Sequence, residues 1–409
     1  MTEVMQGIRI LEVAEHTFVP AASAILADWG ADVIKIEHVE RGDAMRGLAS
    51  TGTVDLGSGS VHVLLEHSNR GKRSLGLDLS TPEGLDILYR LAATADVFLT
   101  NKLPKVCKKL SIEIDDIRAC NPNIVYARGS GFGSKGPDAD NGGYDILGYW
   151  SRSSVAMGAT PIDDLRMTGM PGPAYGDSIG AMTIAGGISA ALLHRERTGE
   201  APVVDVSLLA TGMWAMGPAI ALSQQSGTPW RPPPGRIRKD IRNPIANSYR
   251  TKGGGFLFLS CLQGFHYWPE ACRVIGRPDL VTDERFDSYE KLTVNADEAA
   301  EILAEEFAKH TLEEWREKFS DFKGQWAAAQ DSVEIAGDEM VKANGYLLEA
   351  ETKDGVRFPL VTTPVQFDEA PSPPKRAPEF NEHGDDILTS ELGLDWDVVI
   401  DLKMKGIVA

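Results

Sequence analysis

Ile8-Arg-Ile-Leu-Glu-Val13, then Pro20 to Trp29 closing at Gly30, then Asp32-Val-Ile-Lys-Ile-Glu37, decide the fold of this chain. The two short apolar runs read as strands, and the segment between them has helical spacing with a glycine just past its end. The alternation continues. Residues 81–95 carry helical spacing with Pro82 in the first turn, a favoured place for proline. Asp96-Val-Phe-Leu-Thr-Asn101 is the next strand, 112–120 the next helix and Ile124-Val-Tyr-Ala127 a further strand. This order predicts an α/β fold built on a parallel, doubly wound sheet. Ligands of such sheets bind outside the carboxyl ends of the strands. That edge holds His16-Thr17-Phe18, His38, Asn101-Lys102 and the turn Gly129-Ser-Gly-Phe-Gly133.

The pattern changes after about residue 215. Residues 226–245, rich in Pro, Gly and Arg, read as a connector or mobile loop. A β-hairpin is expected around Lys252-Gly-Gly-Gly255, with helices at 266–275, 294–308 and from Thr311, where Thr311 and Glu314 fit a capping box. These make a smaller α+β domain. Residues 356–377 are Pro-rich and extended, and the tail from Asp385 is helical. The chain of 409 residues is long for one core. Its formal charge of -18 argues against nucleic acid and anionic membranes as partners. The 4 cysteines form no CxxC pair, which fits free thiols in a reducing compartment. Neither a signal peptide nor a span-length apolar run is evident, so a cytoplasmic protein is expected.

Asp177 is the most informative single residue. The run Met170-Pro-Gly-Pro-Ala-Tyr-Gly-Asp177 delivers a carboxylate to the start of an apolar helix pattern, Ser178 to Arg197. A helix start favours an anion, so a carboxylate there is expected to stay ionised and able to act as a nucleophile. Gly176 lets another molecule approach the backbone. An N-cap is the more ordinary reading of the same position. Other motifs give less. Gly129-Ser-Gly-Phe-Gly-Ser-Lys-Gly136 has serine where both the dinucleotide fingerprint and the P-loop need glycine. The 8 histidines have no metal-ligand spacing, so no metal is expected. Asn69-Arg-Gly-Lys-Arg-Ser74 and the cluster Lys102, Lys105, Lys108, Lys109 are the places where an acidic chain could neutralise phosphates, or else plain solvated turns.

Taken together, the chain resembles the class III CoA-transferases, the group that includes formyl-CoA transferase and the α-methylacyl-CoA racemases. The resemblance runs through Gly7-Ile-Arg-Ile-Leu-Glu12, Leu26-Ala-Asp-Trp-Gly-Ala-Asp-Val-Ile-Lys-Ile-Glu37, Asn69-Arg-Gly-Lys-Arg-Ser74, Gly143-Tyr-Asp145, Gly176-Asp177 and Gly187-Ile-Ser-Ala-Ala-Leu-Leu-His-Arg-Glu-Arg-Thr-Gly199. It implies an interlocked dimer of ring-shaped chains. Each chain would have a large Rossmann-like CoA-binding domain, 1–215 with 340–409, and a linker and small domain, 216–339. It also implies Asp177 as the catalytic carboxylate, forming aspartyl anhydride and aspartyl-CoA thioester intermediates. Gly176, His16, Thr17, Phe18 and Tyr144 are then oxyanion or substrate residues, and His38, Lys72, Arg73, Asn101, Lys102 and Lys109 bind CoA. The CoA thioester is a substrate, with no tightly bound cofactor. Racemases of the family have histidine where this chain has Tyr144, and tyrosine, with a pKa near ~10, is a poor base at neutral pH. Transfer between carboxylic acids is thus favoured over racemisation or intramolecular migration, and a non-catalytic CoA-binding protein is the third alternative.

Overall fold

A computed structural model describes residues 2–51, 54–55, 61–232 and 241–409. Its centre is one sheet of six parallel strands: β1 (Arg9–Val13), β2 (Asp32–His38), β3 (Arg73–Leu77), β4 (Val97–Thr100), β5 (Val125–Ser130) and β6 (Val203–Ser207). Their spatial order is β3-β2-β1-β4-β5-β6, so the chain steps outward from β1 in one direction and then returns to build the other. The reversal falls between β1 and β4. Parallel strands covered on both faces need apolar side chains on both, and the strands supply them. Ile10 and Val33 enter one core and Leu11 and Ile34 the other, following the two-residue period of a strand.

Helices cover both faces. The first core receives α1 (Phe18–Asp28) and the long α6 (Tyr175–Thr198). The second receives α3 (Pro82–Ala92), α5 (Ile114–Cys120) and the C-terminal residues 387–408. Two short helices complete the frame, α2 (Val63–Asn69) and α4 (Pro104–Lys109). Contact between α1 and α6 is close because Gly180 has no Cβ. One there would lie 2.4 Å from the Phe18 ring, and one at Gly129 of β5 would lie 2.9 Å from the same ring. Phe18 is therefore wedged into the core. Helix α6 is long and apolar enough by composition to cross a membrane, against the expectation that no segment reaches that length. Its Ala181, Ile184, Ala185 and Ile188 are fully buried in the core beside the sheet.

The chain divides into two compact units, Met1–Thr160 with Arg166–Arg231 and Glu339–Ala409, and Pro161–Leu165 with Pro232–Asp338. The larger unit thus runs past 215, because helices Leu208–Ala215 and Gly217–Ser226 follow β6 directly and stay with it. The smaller unit has a three-stranded antiparallel sheet, with Phe256–Leu259 between Ser248–Arg250 and Trp326–Ala328. Trp268, Phe286, Phe307, Trp315 and Phe319 fill its core. The capping box at Thr311 and Glu314 is present. The extended stretch expected at 356–377 opens with strand Arg357–Val361 of a hairpin. Residues 233–240 of the connector expected at 226–245 lie outside the described residues.

Candidate active site

Two strand ends flank the reversal, and their loops are tied together. Asn101, just beyond β4, accepts the Glu15 N–H at 3.1 Å and donates to the Glu15 carbonyl at 2.6 Å. Its amide thus extends the β1–β4 pairing by one residue past the sheet. His16 follows in the left-handed region at φ 69°, and its N–H donates to Asp43 Oδ1 at 3.0 Å. Asp43 is itself fixed by Lys35, whose ammonium lies 2.8 Å from Oδ2. Behind this loop is a buried charge network. Glu12 and Lys35 are direct cross-strand neighbours, 2.7 Å apart, and Lys72 meets the other Glu12 oxygen at 2.7 Å. Burial opposes the Glu12 charge, but the two ammonium groups outweigh it and hold its carboxyl below the usual range.

Asp177 occupies the third position of α6, not the cap. The helix is entered through Ala174 at φ 56° and carries no cap from its own chain neighbours. A residue from elsewhere fills that role. Asp145, 6% exposed, accepts the Gly176 N–H at 2.9 Å; burial raises its carboxyl, and the Asp177 and Gly176 N–H groups oppose that rise. Asp145 opens a π-helical turn, Ile146–Arg152, a rare element often found at functional sites. Glycine at 176 is obligatory, since a Cβ would lie 2.2 Å from Tyr149 Cγ and 2.3 Å from Asp145 Oδ1.

The Asp177 carboxyl is pushed up to about 8, first by burial and then by the negative charge of Asp145. The expectation that it stays ionised near neutrality is therefore corrected. A helix start attracts an anion by a modest amount, and here desolvation with a like charge outweighs it. On the far side of Asp177, Ser178 Oγ donates to the Ala174 carbonyl and lies 3.3 Å from His67 Nε2 of α2. His67, lowered to about 4 by burial and then by Arg70, is a neutral imidazole.

The predicted residues separate into those that converge and those that do not. His16 and Tyr144 meet edge to face, ring centroids 5.6 Å apart, and Tyr144 is 63% exposed. Tyr144 precedes Asp145, so His16, Tyr144, Asp145, Gly176 and Asp177 form one chain of contacts and neighbours. The N–H groups of Gly176 and His16, both expected as oxyanion or substrate residues, donate to the carboxylates of Asp145 and Asp43. Thr17 and Phe18 are buried at the start of α1, where the first backbone N–H groups have no intrahelical acceptor.

Lys72, expected to bind CoA, points into the protein. Its ammonium is sealed inside against Glu12, the Pro20 carbonyl and Asn69. Arg73 carried the same expectation. It stands at the amino end of β3, the wrong edge of the sheet, paired with Asp32 and Glu391. Asn101 is spent on Glu15. Lys102 pairs with Glu15 at 2.7 Å, while His38 and Lys109 are exposed at the strand and helix ends. A cavity of about 320 Å³ opens at Asn101 and Lys102, lined also by Cys107, Tyr126, Arg128 and Ser130 among others.

The model of the family described as CoA-transferase family III matches residues 5–384. This chain belongs to CoA-transferase family III. The transferase is 27% identical to (R)-2-hydroxy-4-methylpentanoate CoA-transferase of Clostridioides difficile, over 99% of each chain. It is 30% identical to cinnamoyl-CoA:phenyllactate CoA-transferase of Clostridium sporogenes, over 96% of this chain and 94% of that one. Among solved structures, a CAIB/BAIF family protein from Brucella suis superposes on it with a TM-score of 0.79 at 26% identity, covering 95% of this chain and 100% of that one. It is thus an enzyme of a family whose substrates are CoA thioesters.

The residues that the sequence left unassigned are Asp145, Asp43, Glu15 and His67. One signal was present for the buried network. Glu12 and Lys35 each interrupt an apolar strand, and a charge there is seldom buried without a partner.

Proposed function

We propose that this CoA-transferase moves CoA from an acyl-CoA thioester to a free carboxylic acid through covalent intermediates on Asp177. The observation that carries the reading is a partly buried carboxyl in the first turn of α6, beside a second carboxylate and the His16–Tyr144 rim. In its ionised form Asp177 attacks the thioester carbonyl. The C–S bond breaks, CoA leaves as thiolate, and a mixed anhydride remains. The thiolate then attacks the aspartyl carbonyl, releasing the donor acid as carboxylate and leaving an aspartyl-CoA thioester. An acceptor carboxylate attacks that thioester and repeats the two steps in reverse, freeing Asp177. Dividing the exchange this way replaces one difficult transfer between two carboxylic acids by several feasible steps. A carboxyl with a raised pKa is also the more basic nucleophile once ionised.

Each attack builds an oxyanion, and a preorganised N–H donor to it is worth about 3 kcal/mol. The first-turn amides of α1 at Thr17 and Phe18 fit that role, because they start beside α6 and have no intrahelical acceptor. The strand order is that of Rossmann-like folds, which bind their ligand in the crevice where the order reverses. CoA is placed there, with Lys109, Lys102 and His38 at its phosphates. Lys109→Ala is expected to raise KM for the acyl-CoA about threefold to tenfold with kcat nearly unchanged, the effect shrinking in high salt. Steady-state kinetics at two ionic strengths measure it, and an unchanged KM removes Lys109 from the site.

The interlocked homodimer belongs to the same reading. Trp214, Leu222 and Trp230 stand exposed on and after the helices that follow β6, an apolar surface that suits a second copy. A cytoplasmic location with neither nucleic acid nor membrane as partner completes it, supported by the charge of -18 and the four free cysteines. The chemistry is tested by incubation with cinnamoyl-CoA and succinyl-CoA, hydroxylamine trapping and peptide mass spectrometry. A hydroxamate or CoA adduct is expected on Asp177. An adduct on another residue, or transfer persisting after Asp177→Ala, sinks the reading.

A further inference from the structure

We propose that Asp145 is a positioning residue for the reaction: its carboxylate closes the start of α6 in place of Asp177 and, by like charge, sets the pH at which Asp177 becomes a nucleophile. The proposal rests on the reading of Asp177 as the attacking group. Its geometry is direct. The Gly176 N–H is 2.9 Å from Asp145 Oδ2, and the space above Gly176 is filled by Asp145 Oδ1 and the Tyr149 ring. With the helix start occupied, the Asp177 side chain has no need to fold back onto its own amides as a cap, and it remains available to a substrate.

The charge follows from the same contact. Burial raises both carboxyls, but only Asp145 has two backbone N–H groups that favour its charge, so in the pair the proton belongs to Asp177. The other groups about this helix start are Tyr175 on α6, Tyr149 on the π-helical turn, His67 from α2 through Ser178, and His16 and Tyr144 at the rim. His67 is neutral, held low by its burial and Arg70. Among the described residues, Asp145 is the charge that acts on Asp177. The arrangement keeps the resting nucleophile protonated and lets it react as an unusually basic carboxylate once the proton leaves.

The test uses the full-length protein with carboxyl-¹³C aspartate and no ligand. The resonance missing in Asp177→Asn is assigned to Asp177, and its titration midpoint is read in wild type, Asp145→Asn and Asp145→Glu. Wild type is expected to titrate near about 8. Asp145→Asn keeps an acceptor for Gly176 but removes the charge, so its midpoint should fall by about one unit or more. Asp145→Glu keeps the charge and should stay close to wild type. The acid limb of kcat/KM should move with the midpoint, which a purely structural loss would not produce. A wild-type midpoint below about 5, the ordinary carboxyl range, overturns the proposal without any variant. So does an unmoved midpoint in Asp145→Asn. Transfer retained by Asp177→Asn is a different outcome and removes the nucleophile reading itself.

Discussion

Asp177→Asn is expected to lower kcat/KM for CoA transfer by at least about a thousandfold, while acyl-CoA still binds. Asparagine is nearly the same size, so the packing of the α6 start against Asp145 and Tyr149 is preserved and only the nucleophilic oxygen is lost. The same variant makes a stability prediction of defined sign. The folded carboxyl titrates near about 8, above its unfolded value of 3.8, so the folded state binds the extra proton between these values. Stability from this group is complete below the unfolded pKa and is lost progressively as pH rises through the folded one. Asp177→Asn cannot ionise and escapes that loss. Its thermal midpoint should therefore exceed the wild type's above about pH 8, and the gap should close toward about pH 4. A variant equally stable or less stable at alkaline pH would show that Asp177 carries no burial cost. A loss of activity below about tenfold would deny it the covalent role.

Such a residue shows where a sequence is informative and where it is not. The strands at 8–13, 32–37 and 96–101 were legible because each is short, apolar and followed by turn chemistry, and the structure has Arg9–Val13, Asp32–His38 and Val97–Thr100. β6 was missed, since Val203-Val-Asp-Val-Ser207 alternates too briefly to stand out after the long helix. The start of α6 came out three residues early, because Ala174 turns left-handed and the cap arrives from Asp145, far away in the chain. No local pattern encodes that contact. The raised carboxyl is illegible for the same reason, being the product of burial and a non-local charge. The settings of Lys72 and Arg73 were illegible in the opposite way. A basic triplet looks solvated in sequence, yet tertiary packing turned Lys72 inward to Glu12 and set Arg73 at the amino edge.

The buried triplet of Glu12, Lys35 and Lys72 carries the second large effect, and Lys35 is its centre. Its ammonium is fully buried and lies 2.7 Å from Glu12, 2.8 Å from Asp43 and 2.9 Å from the Ala14 carbonyl. Burial disfavours the charge, but Asp43, Glu12 and Glu37 outweigh it and hold Lys35 above its usual range. Removing one member of a buried charge set leaves the others unpaired, which costs about 3–5 kcal/mol. Lys35→Met should lose stability on that scale in denaturant unfolding, far more than an exposed lysine would. Adding Asp43→Asn should recover part of it, because Asp43 is the carboxylate left without a cation, whereas Glu12 keeps Lys72. The consequence reaches the site. Asp43 without Lys35 holds the His16 N–H less firmly, and His16 sits at a positive φ that its surroundings must impose. Amide exchange of residues 14–18 is therefore expected to quicken more than exchange in the smaller unit, which shares none of these partners. Uniform quickening across both units would mean that Lys35 supports global stability alone. A loss under about 1 kcal/mol would mean that water reaches the network and the charges are not truly buried.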